Sequence, residues 1–318
     1  MQVHVTRLAQ WADIVVSSFG PPATHLIGSD MKVANPGLFW LADYRDLWSQ
    51  NRSVGDSIEL LEEIRRSELK SVGAHADLLS AVSKDMVEKL ECLMSKRVIY
   101  NPNGFDVDEE EVRRRLANPL DVPEPPLRIV YTGKIYEGFH DPKPVLDALV
   151  FLLQSGKIAD GMITLDIYGS QVEPIEALAK DPRYASFIRF MGHVPRDRAL
   201  DAQRCAWLLL LLESSSAEAR GILTGKLYEY LTAGRPIICV GSRQDFEIGQ
   251  ILRTTGTGMV VDPKDYSNIP DLLMNTLKGG GLMAIYSPKT DEILKYSRRR
   301  LAYSLFRELI EHWRRQGN

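Results

Sequence analysis

Residues 223–241 read LTGKLYEYLTAGRPIICVG, a Gly-Lys pair at a helix start followed by Gly, Pro and a short apolar run. Thr224 is a fair N-cap, Gly225 and Lys226 open the helix, Gly234 suits its C-terminal cap, and Pro236 prevents its continuation. The run PIICVG then reads as a buried strand. Working outward, the same alternation of apolar run and helical pattern recurs at RIVYTG (128–133), MITLDIYG (162–169), FIRFMG (187–192), WLLLLLESS (207–215) and GMVVD (258–262). Such alternation implies a parallel sheet covered on both faces. Ligands of open α/β sheets gather beyond the carboxyl ends of the strands, and several of these runs end in Gly or a small polar residue. The functional site is expected in those loops.

Upstream, PLDVPEPP (119–126) carries four prolines and reads as an extended linker. It divides an N-terminal domain, 1–118, from a second domain, 127–292, with a closing helical segment at 293–318. The N-terminal part has the same grammar in ADIVVSS (12–18), LFWLAD (38–43), DLLSAV (77–82) and RVIYN (97–101). A doubly wound half uses roughly six strands, so this one is expected to be incomplete at its N-terminal side. In LKYSRRRLAYSLFRELIEHWRR, Leu294, Leu301, Leu305, Leu309 and Trp313 lie close to one face of a long helix. Its arginines, Arg298, Arg299, Arg300, Arg307, Arg314 and Arg315, leave two readings. The helix touches an anionic membrane, or it packs back toward the N-terminal domain with the arginines in solvent.

The chain has 318 residues, 44% hydrophobic and 25% charged, with a net charge of −3. These totals describe a soluble globular protein of about two domains, and not a nucleic-acid binder. Cys92, Cys205 and Cys239 are far apart and show no zinc or redox spacing, which fits a reducing cytoplasm. The apolar run at 207–212 is too short to span a bilayer, and MQVHVTRLAQ lacks the apolar core of a signal peptide.

The chemistry of the opening stretch follows from its order. Unsatisfied N–H groups and the macrodipole at a helix start favour an anion, and Gly lets a phosphate approach the backbone. Lys226 adds a full charge. Glu229, three residues on, can accept from two neighbouring ribose hydroxyls. Phosphate plus ribose means a nucleotide; the bland alternative is a solvated Lys and Glu pairing across one helical turn. The spacing is not that of a Walker P-loop. In LADYRD, Asp43, Arg45 and Asp46 cluster at a strand end, either as a structural bridge or as groups facing a second substrate. His25 follows a Gly-Pro-Pro turn and reads as a packing residue or a site residue. Asp106 and Asp108 in GFDVDEEE read as acids at a helix start, not as metal ligands.

With these residues in view, the second half resembles the donor-binding domain of the GT-B glycosyltransferases, specifically the large retaining family 4. That family carries a similar Gly-Lys-aliphatic-aromatic-Glu-Tyr segment before Ala-Gly-Arg-Pro, here TGKLYEYLTAGRPI. YTGKIYEGFHDPKPVLDAL (131–149) is similar to its strand-glycine-helix opening, and RFMGHVPRDRAL (189–200) to its base-binding loop. WLADYRDLW (40–48) and VIYNPNGFD (98–106) resemble its Asp-x-Arg-Asp strand end and Asn-Gly-x-Asp crossover. The resemblance implies two Rossmann-like doubly wound domains with a cleft between them, the N-terminal one incomplete. It implies transfer of a sugar, with retention, from a nucleoside-diphosphate-sugar to a hydroxyl acceptor, a glycan or a lipid-linked species of the cell envelope. No cofactor or metal is required.

Residue by residue, the resemblance places Lys226, Gly225, Gly133 and Lys134 at the donor diphosphate, Glu229 at the ribose, and Gly192, His193 and Val194 at the base. Lys226, Arg45 and Asp46 take the catalytic roles, with Asp43, His25 and His140 as further candidates. The family's Glu-x7-Glu would need an acid at Gly221; Glu213 and Glu218 are nearby but out of step. The basic residue after the first glycine loop is His140 or Lys143. Gly221 and the short first domain leave open a nucleotide-sugar-binding protein without turnover, and an epimerase on the same fold is a third reading.

Overall fold

The computed structural model describes residues 7–50, 57–118, 121, 123–169 and 173–315. Each of the ten apolar runs read from the sequence forms a strand, and all pair in parallel. The chain forms two compact units, one of residues 1–103 with 299–318, the other of residues 104–298.

The first unit holds β1 (Ile14–Ser18), β2 (Phe39–Tyr44), β3 (Leu78–Ala81) and β4 (Val98–Tyr100), in spatial order β1-β2-β3-β4. Strands that step in one direction through right-handed crossovers place their helices on one face. These are α1 (Ala23–Ala34), α2 (Ile58–Glu68) with a π turn at Leu69–Gly73, and α3 (Lys84–Met94). They bury Trp40, Ala42, Tyr44, Leu79 and Ala81 with Val72, Met86 and Leu90. The alternate residues Phe39, Leu41 and Leu78 face the other way and are covered by Leu309, Leu305 and Trp313 of α13 (Arg298–Arg315). Ser57 and Ser83 cap α2 and α3 by accepting from Leu60 and Met86 N–H groups.

The second unit is doubly wound. Its strands are β5 (Leu127–Thr132), β6 (Ile163–Tyr168), β7 (Ile188–Gly192), β8 (Leu208–Leu212), β9 (Ile237–Val240) and β10 (Gly258–Val261), ordered β10-β9-β8-β5-β6-β7. The order reverses between β5 and β8, which pair at Ile129 with Leu208 and Val130 with Leu209. All five leucines of β8 are buried, Leu208, Leu210 and Leu212 on one face and Leu209 and Leu211 on the other. One face is covered by α5 (Lys143–Gln154), α10 (Ile269–Leu277) and α11 (Gly281–Ile285). The other is covered by α4 (Glu109–Ala117), α7 (Arg196–Arg204), α8 (Gly225–Leu231), α9 (Glu247–Thr255) and α12 (Thr290–Leu294). α6 (Glu173–Lys180) precedes β7.

Two boundaries differ from the sequence reading. The units divide at Asn103 and Gly104, upstream of the proline-rich segment, because Phe105 and the α4 residues Val112 and Leu116 are buried in the second unit's core. Within that segment Pro119, Leu120 and Val122 lie outside the described residues. The closing segment is not one continuous helix from Leu294. Leu294 is buried at the end of α12, and α13 starts only at Arg298. Between them the backbone turns to bond Phe105, whose N–H donates to Tyr296 O at 3.0 Å and whose carbonyl accepts from Arg298 N at 3.0 Å. Asp108 caps α4, accepting from the N–H groups of Glu110 and Glu111, which accounts for the acid at that helix start.

Close packing of α1 on β2 gives the fold a local test. A Cβ at Gly28 would stand 2.5 Å from the Trp40 ring, whereas one at Gly225 meets open space. Gly28→Ala should therefore lower stability by about 1–3 kcal/mol through overpacking, read as a lower urea midpoint, while Gly225→Ala leaves the midpoint unchanged. Equal midpoints for both variants would contradict this packing.

Candidate functional site

The reversal of strand order between β5 and β8 splays the loops that follow them, the usual position for a ligand in a doubly wound sheet. The β5 loop begins Gly133-Lys134 and the β8 loop begins at Glu213. Lys226 enters the same space from the second residue of α8. Its Nζ donates to the Tyr131 hydroxyl at 2.7 Å and lies 4.3 Å from that ring's centre. Gly133, at φ +118°, leaves room for the lysine: a Cβ there would be 3.1 Å from Lys226 Cε. The Tyr131 hydroxyl in turn donates to the Lys134 carbonyl at 2.8 Å, so one phenol fixes both the first loop and the lysine.

Charge in this pocket is poorly solvated. Burial pushes the Glu213 carboxyl up against the pull of Lys226, and burial pulls the Lys226 ammonium down against the pull of Glu213. Thr224 stands at the N-cap position of α8, but its hydroxyl makes no cap bond; it reaches Glu213 Oε1 at 3.5 Å. His140 also belongs here, 3.4 Å from the Tyr131 hydroxyl. Its Nδ1 accepts from Tyr136 N–H at 3.2 Å, which leaves the proton of the neutral ring on Nε2. Burial, with Lys226 nearby, lowers its pKa to about 4. Lys134 is exposed, with Nζ 4.9 Å from the Tyr136 ring centre. Lys143, the other candidate after the first glycine loop, is the exposed first residue of α5.

One turn along α8, Glu229 is held by Arg196 at 3.1 Å and Gln203 at 3.4 Å. Gln203 also donates to Thr132 Oγ1 at 3.0 Å, and the buried Tyr230 hydroxyl accepts from Thr132 N–H at 2.9 Å. This network ties the carboxylate to the end of β5. Gly192 ends β7 at φ +70°, and its carbonyl accepts from Gly169 N–H at 2.9 Å, joining the β6 and β7 loops. His193 is exposed, and Val194 packs against the core beneath. A side chain at Gly169 would stand 2.2 Å from the Gly133 carbonyl, so the β5 and β6 loops touch through backbone. Gly221 has φ +85°, and the side chain of Glu218 lies outside the described residues.

In the first unit, Asp43 is buried and fully engaged. It accepts from Ser80 at 2.7 Å, Ser18 at 3.1 Å and Arg45 Nε at 2.8 Å. Arg45 is further held near the Asn101 carbonyl and Asn103 Oδ1, both at 3.4 Å, while Asp46 is exposed. His25 is buried against Phe19, Trp40 and Tyr44, with Nδ1 2.8 Å from Ser17 Oγ. Burial, partly offset by Asp43, lowers its pKa to about 4. Among the described residues, no group of three or more His, Cys, Asp or Glu stands together as a metal set.

The structure thus brings together Lys226, Gly133, His140 and Glu213, with Glu229 deeper on the same helix. Tyr131, Gln203, Tyr230 and Arg196 were missed. Tyr131 carries a signal, a polar-tipped aromatic two residues before a loop glycine; Arg196 and Gln203 become visible only once α7 is packed beside α8, and Tyr230 only once α8 is packed on β5.

The Tyr131 cluster predicts an unusual histidine. By ring-proton NMR, His140 should stay neutral down to about pH 5, and in Lys226→Met its pKa should rise, because the repelling cation is gone. A His140 titration at the ordinary histidine pKa in the unaltered chain would show that the ring is not lodged beside Lys226.

No protein-family model matches the chain, and no curated protein matches it. Among solved structures it is similar to Anabaena Alr3699/HepE in complex with UDP, at 12% identity and TM-score 0.67, over 98% of this chain and 82% of that one. It is similar to an alpha,alpha-trehalose-phosphate synthase (UDP-forming) from Burkholderia xenovorans in complex with glucose-6-phosphate, at 12% identity and TM-score 0.66, over 97% and 77%. A sucrose-phosphate synthase from Thermosynechococcus elongatus matches at 14% identity and TM-score 0.61, over 94% and 74%. At these identities the likeness is one of fold: two Rossmann-like α/β units with parallel sheets, the GT-B architecture.

Proposed function

We propose that the chain is a glycosyltransferase that takes a sugar from a nucleoside diphosphate and passes it, with retention, to a hydroxyl of an envelope glycan or lipid-linked acceptor. The observation that carries this reading is the position of Lys226. It is a half-buried cation held by Tyr131 at the strand-order reversal, with Glu229 one turn deeper and glycines on the neighbouring loops. Crystal structures of the same architecture with UDP and with UDP-glucose support the class of donor.

In this reading the diphosphate lies against Gly133 and Gly225, neutralised by Lys226 and the exposed Lys134. As the bond from the anomeric carbon to the phosphate oxygen breaks, negative charge grows on that oxygen, and positioned cations stabilise the change. The departing oxygen takes the acceptor hydroxyl's proton as the new glycosidic bond forms on the same face. His140, neutral and with its proton on Nε2, donates to an oxygen of the donor. Glu229 exchanges its bonds from Arg196 and Gln203 for those of ribose hydroxyls, and the backbone of Gly192, His193 and Val194 meets the base. Glu213 supplies the acid that position 221 lacks. Arg45, fixed by Asp43, and the exposed Asp46 belong to the acceptor side.

Calorimetry with a nucleoside diphosphate tests the donor half. Lys226→Ala should weaken binding by about ten- to a hundredfold, the loss of one charge-assisted contact, and Glu229→Ala by about tenfold. The loss in Glu229→Ala should shrink for the 2′-deoxy nucleotide. Unchanged affinity in both variants would remove the site. Incubation with labelled sugar nucleotides tests the chemistry: transfer or slow donor hydrolysis supports a transferase, while binding without turnover supports a nucleotide-sugar-binding protein, the reading that Gly221 favours.

The charge pair sets the pH dependence. The ligand binds best when Lys226 is charged and Glu213 neutral, the forms that prevail on the acid side. Affinity should therefore fall as pH rises from about 6 to about 9, through the lowered range of Lys226. In Lys226→Arg the charge persists and the fall should flatten. A wild-type affinity that is level over this range would exclude the pair from the binding site.

A further inference from the structure

α13 covers its sheet with one side only. Leu305 and Leu309 point into the cluster with Phe39, Leu41 and Leu78, joined by Ile310 and Trp313 from the last turns. Beside that seam, Glu308 and His312 are engaged by Arg97, each at 3.3 Å. At about 100° per residue, Arg299, Tyr303 and Phe306 make a row that Ile310 and Trp313 continue at the edge of the covered face, and Arg307 and Arg314 lie on its outer side. The side chains of Arg299, Tyr303, Phe306, Arg307 and Arg314 are exposed, Tyr303 by 73% and Phe306 by 61%. Neither of the helix's two carboxylates enters this flank: Glu308 faces Arg97, and Glu311 lies at the margin, 3.9 Å from Arg315. The result is a pair of uncovered aromatic rings set among arginines, on a regular helix that the core anchors along the adjoining face.

We propose that this flank of α13 is a docking surface for an anionic lipid bilayer. Charge complementarity selects the occupant together with the two rings. Arginines reach phosphate headgroups while their stems and the aromatic rings settle at the level of the acyl boundary. The backbone of a nucleic-acid duplex would satisfy the arginines but leave Tyr303 and Phe306 in water. None of the described helices is long and apolar enough to cross a membrane, so the contact is peripheral, with the helix lying along the surface. The net charge of −3 makes the attraction a property of the patch and not of the whole chain. The proposal is independent of the donor site, and it fits a protein that works beside a lipid-linked substrate.

Vesicle sedimentation with the full chain decides it. The protein should pellet with vesicles containing about one-third anionic lipid at low salt, be released by high salt, and ignore purely zwitterionic vesicles. Replacing Arg299, Arg307 and Arg314 by Glu together should lower the partition coefficient at least about a hundredfold, at about fivefold or more per charge. Tyr303→Ser with Phe306→Ser should lower it about tenfold. The control, Lys180→Glu with Lys264→Glu and Lys278→Glu, makes the same change in net charge on exposed residues elsewhere and should leave binding within about twofold. Melting curves and nucleoside diphosphate titrations should be unchanged in every variant, which separates this proposal from the fate of the donor site. It is overturned if the unaltered chain fails to pellet, if the control loses as much as the α13 triple variant, or if the serine pair has no effect. Salt-sensitive binding to a DNA duplex that depends on the arginines but not on the two rings, without vesicle binding, would also overturn it.

Discussion

The hydroxyl of Tyr131 is the interaction on which the candidate site depends. It accepts from Lys226 and donates to the Lys134 carbonyl, and so joins the loop after β5 to the start of α8. The sheet makes that meeting possible, because strand order reverses between β5 and β8 and the two following connections leave in opposite directions. Tyr131 itself is anchored by its ring in the apolar face of the sheet. Only its polar tip reaches the loops. The phenol is therefore a rigid post: its position is set by core packing, and the lysine's position is set by the phenol.

A lysine held in this way is costly without a ligand. Burial lowers its ammonium pKa, and Glu213 offsets the cost without forming a close ion pair, since Thr224 Oγ1 at 3.5 Å is the nearest bonded group of that carboxyl. A ligand with several anionic oxygens repairs the deficit. Glu229 differs: its carboxylate is already satisfied by Arg196 and Gln203, so a ligand there must displace bonds that exist. Lys226 and Glu229 would thus meet a ligand in different ways, one by relief of a poorly solvated charge and the other by exchange among hydrogen-bonded partners.

The strands were legible because a sheet buried on both faces demands short, unbroken apolar runs, and RIVYTG, WLLLLLESS and PIICVG are runs of that kind. The sequence joins Gly133 and Lys226 in one site only through the family resemblance; in the structure a Cβ at Gly133 would stand 3.1 Å from Lys226 Cε. The unit boundary was not legible. Prolines at 119–126 mark a chain that cannot be helical, but α4 had already joined the second core through Val112 and Leu116. The break before α13 was equally hidden, since Leu294 keeps the helical spacing while Phe105, distant in sequence, claims the backbone at 296–298. Glu213 was out of step by counting along the chain; only the turn from β8 into α8 brings it near Lys226.

The candidates in the first unit sit in a different setting. Asp43 and Arg45 stand at a strand end as a catalytic pair would, yet Asp43 is buried and three of its acceptor positions are taken by two serine hydroxyls and the guanidinium. Its work is to hold Arg45. The guanidinium keeps only part of its fork, because its Nε and one terminal nitrogen are engaged by Asp43, the Asn101 carbonyl and Asn103. Left out of these bonds are the second terminal nitrogen of Arg45 and the exposed carboxylate of Asp46. One donor and one acceptor on a fixed strand end suit a hydroxyl-bearing ligand, which can bond to both, better than an anion, which Asp46 would repel. A polyhydroxylated molecule would meet that condition; a phosphorylated one would need a cation from elsewhere.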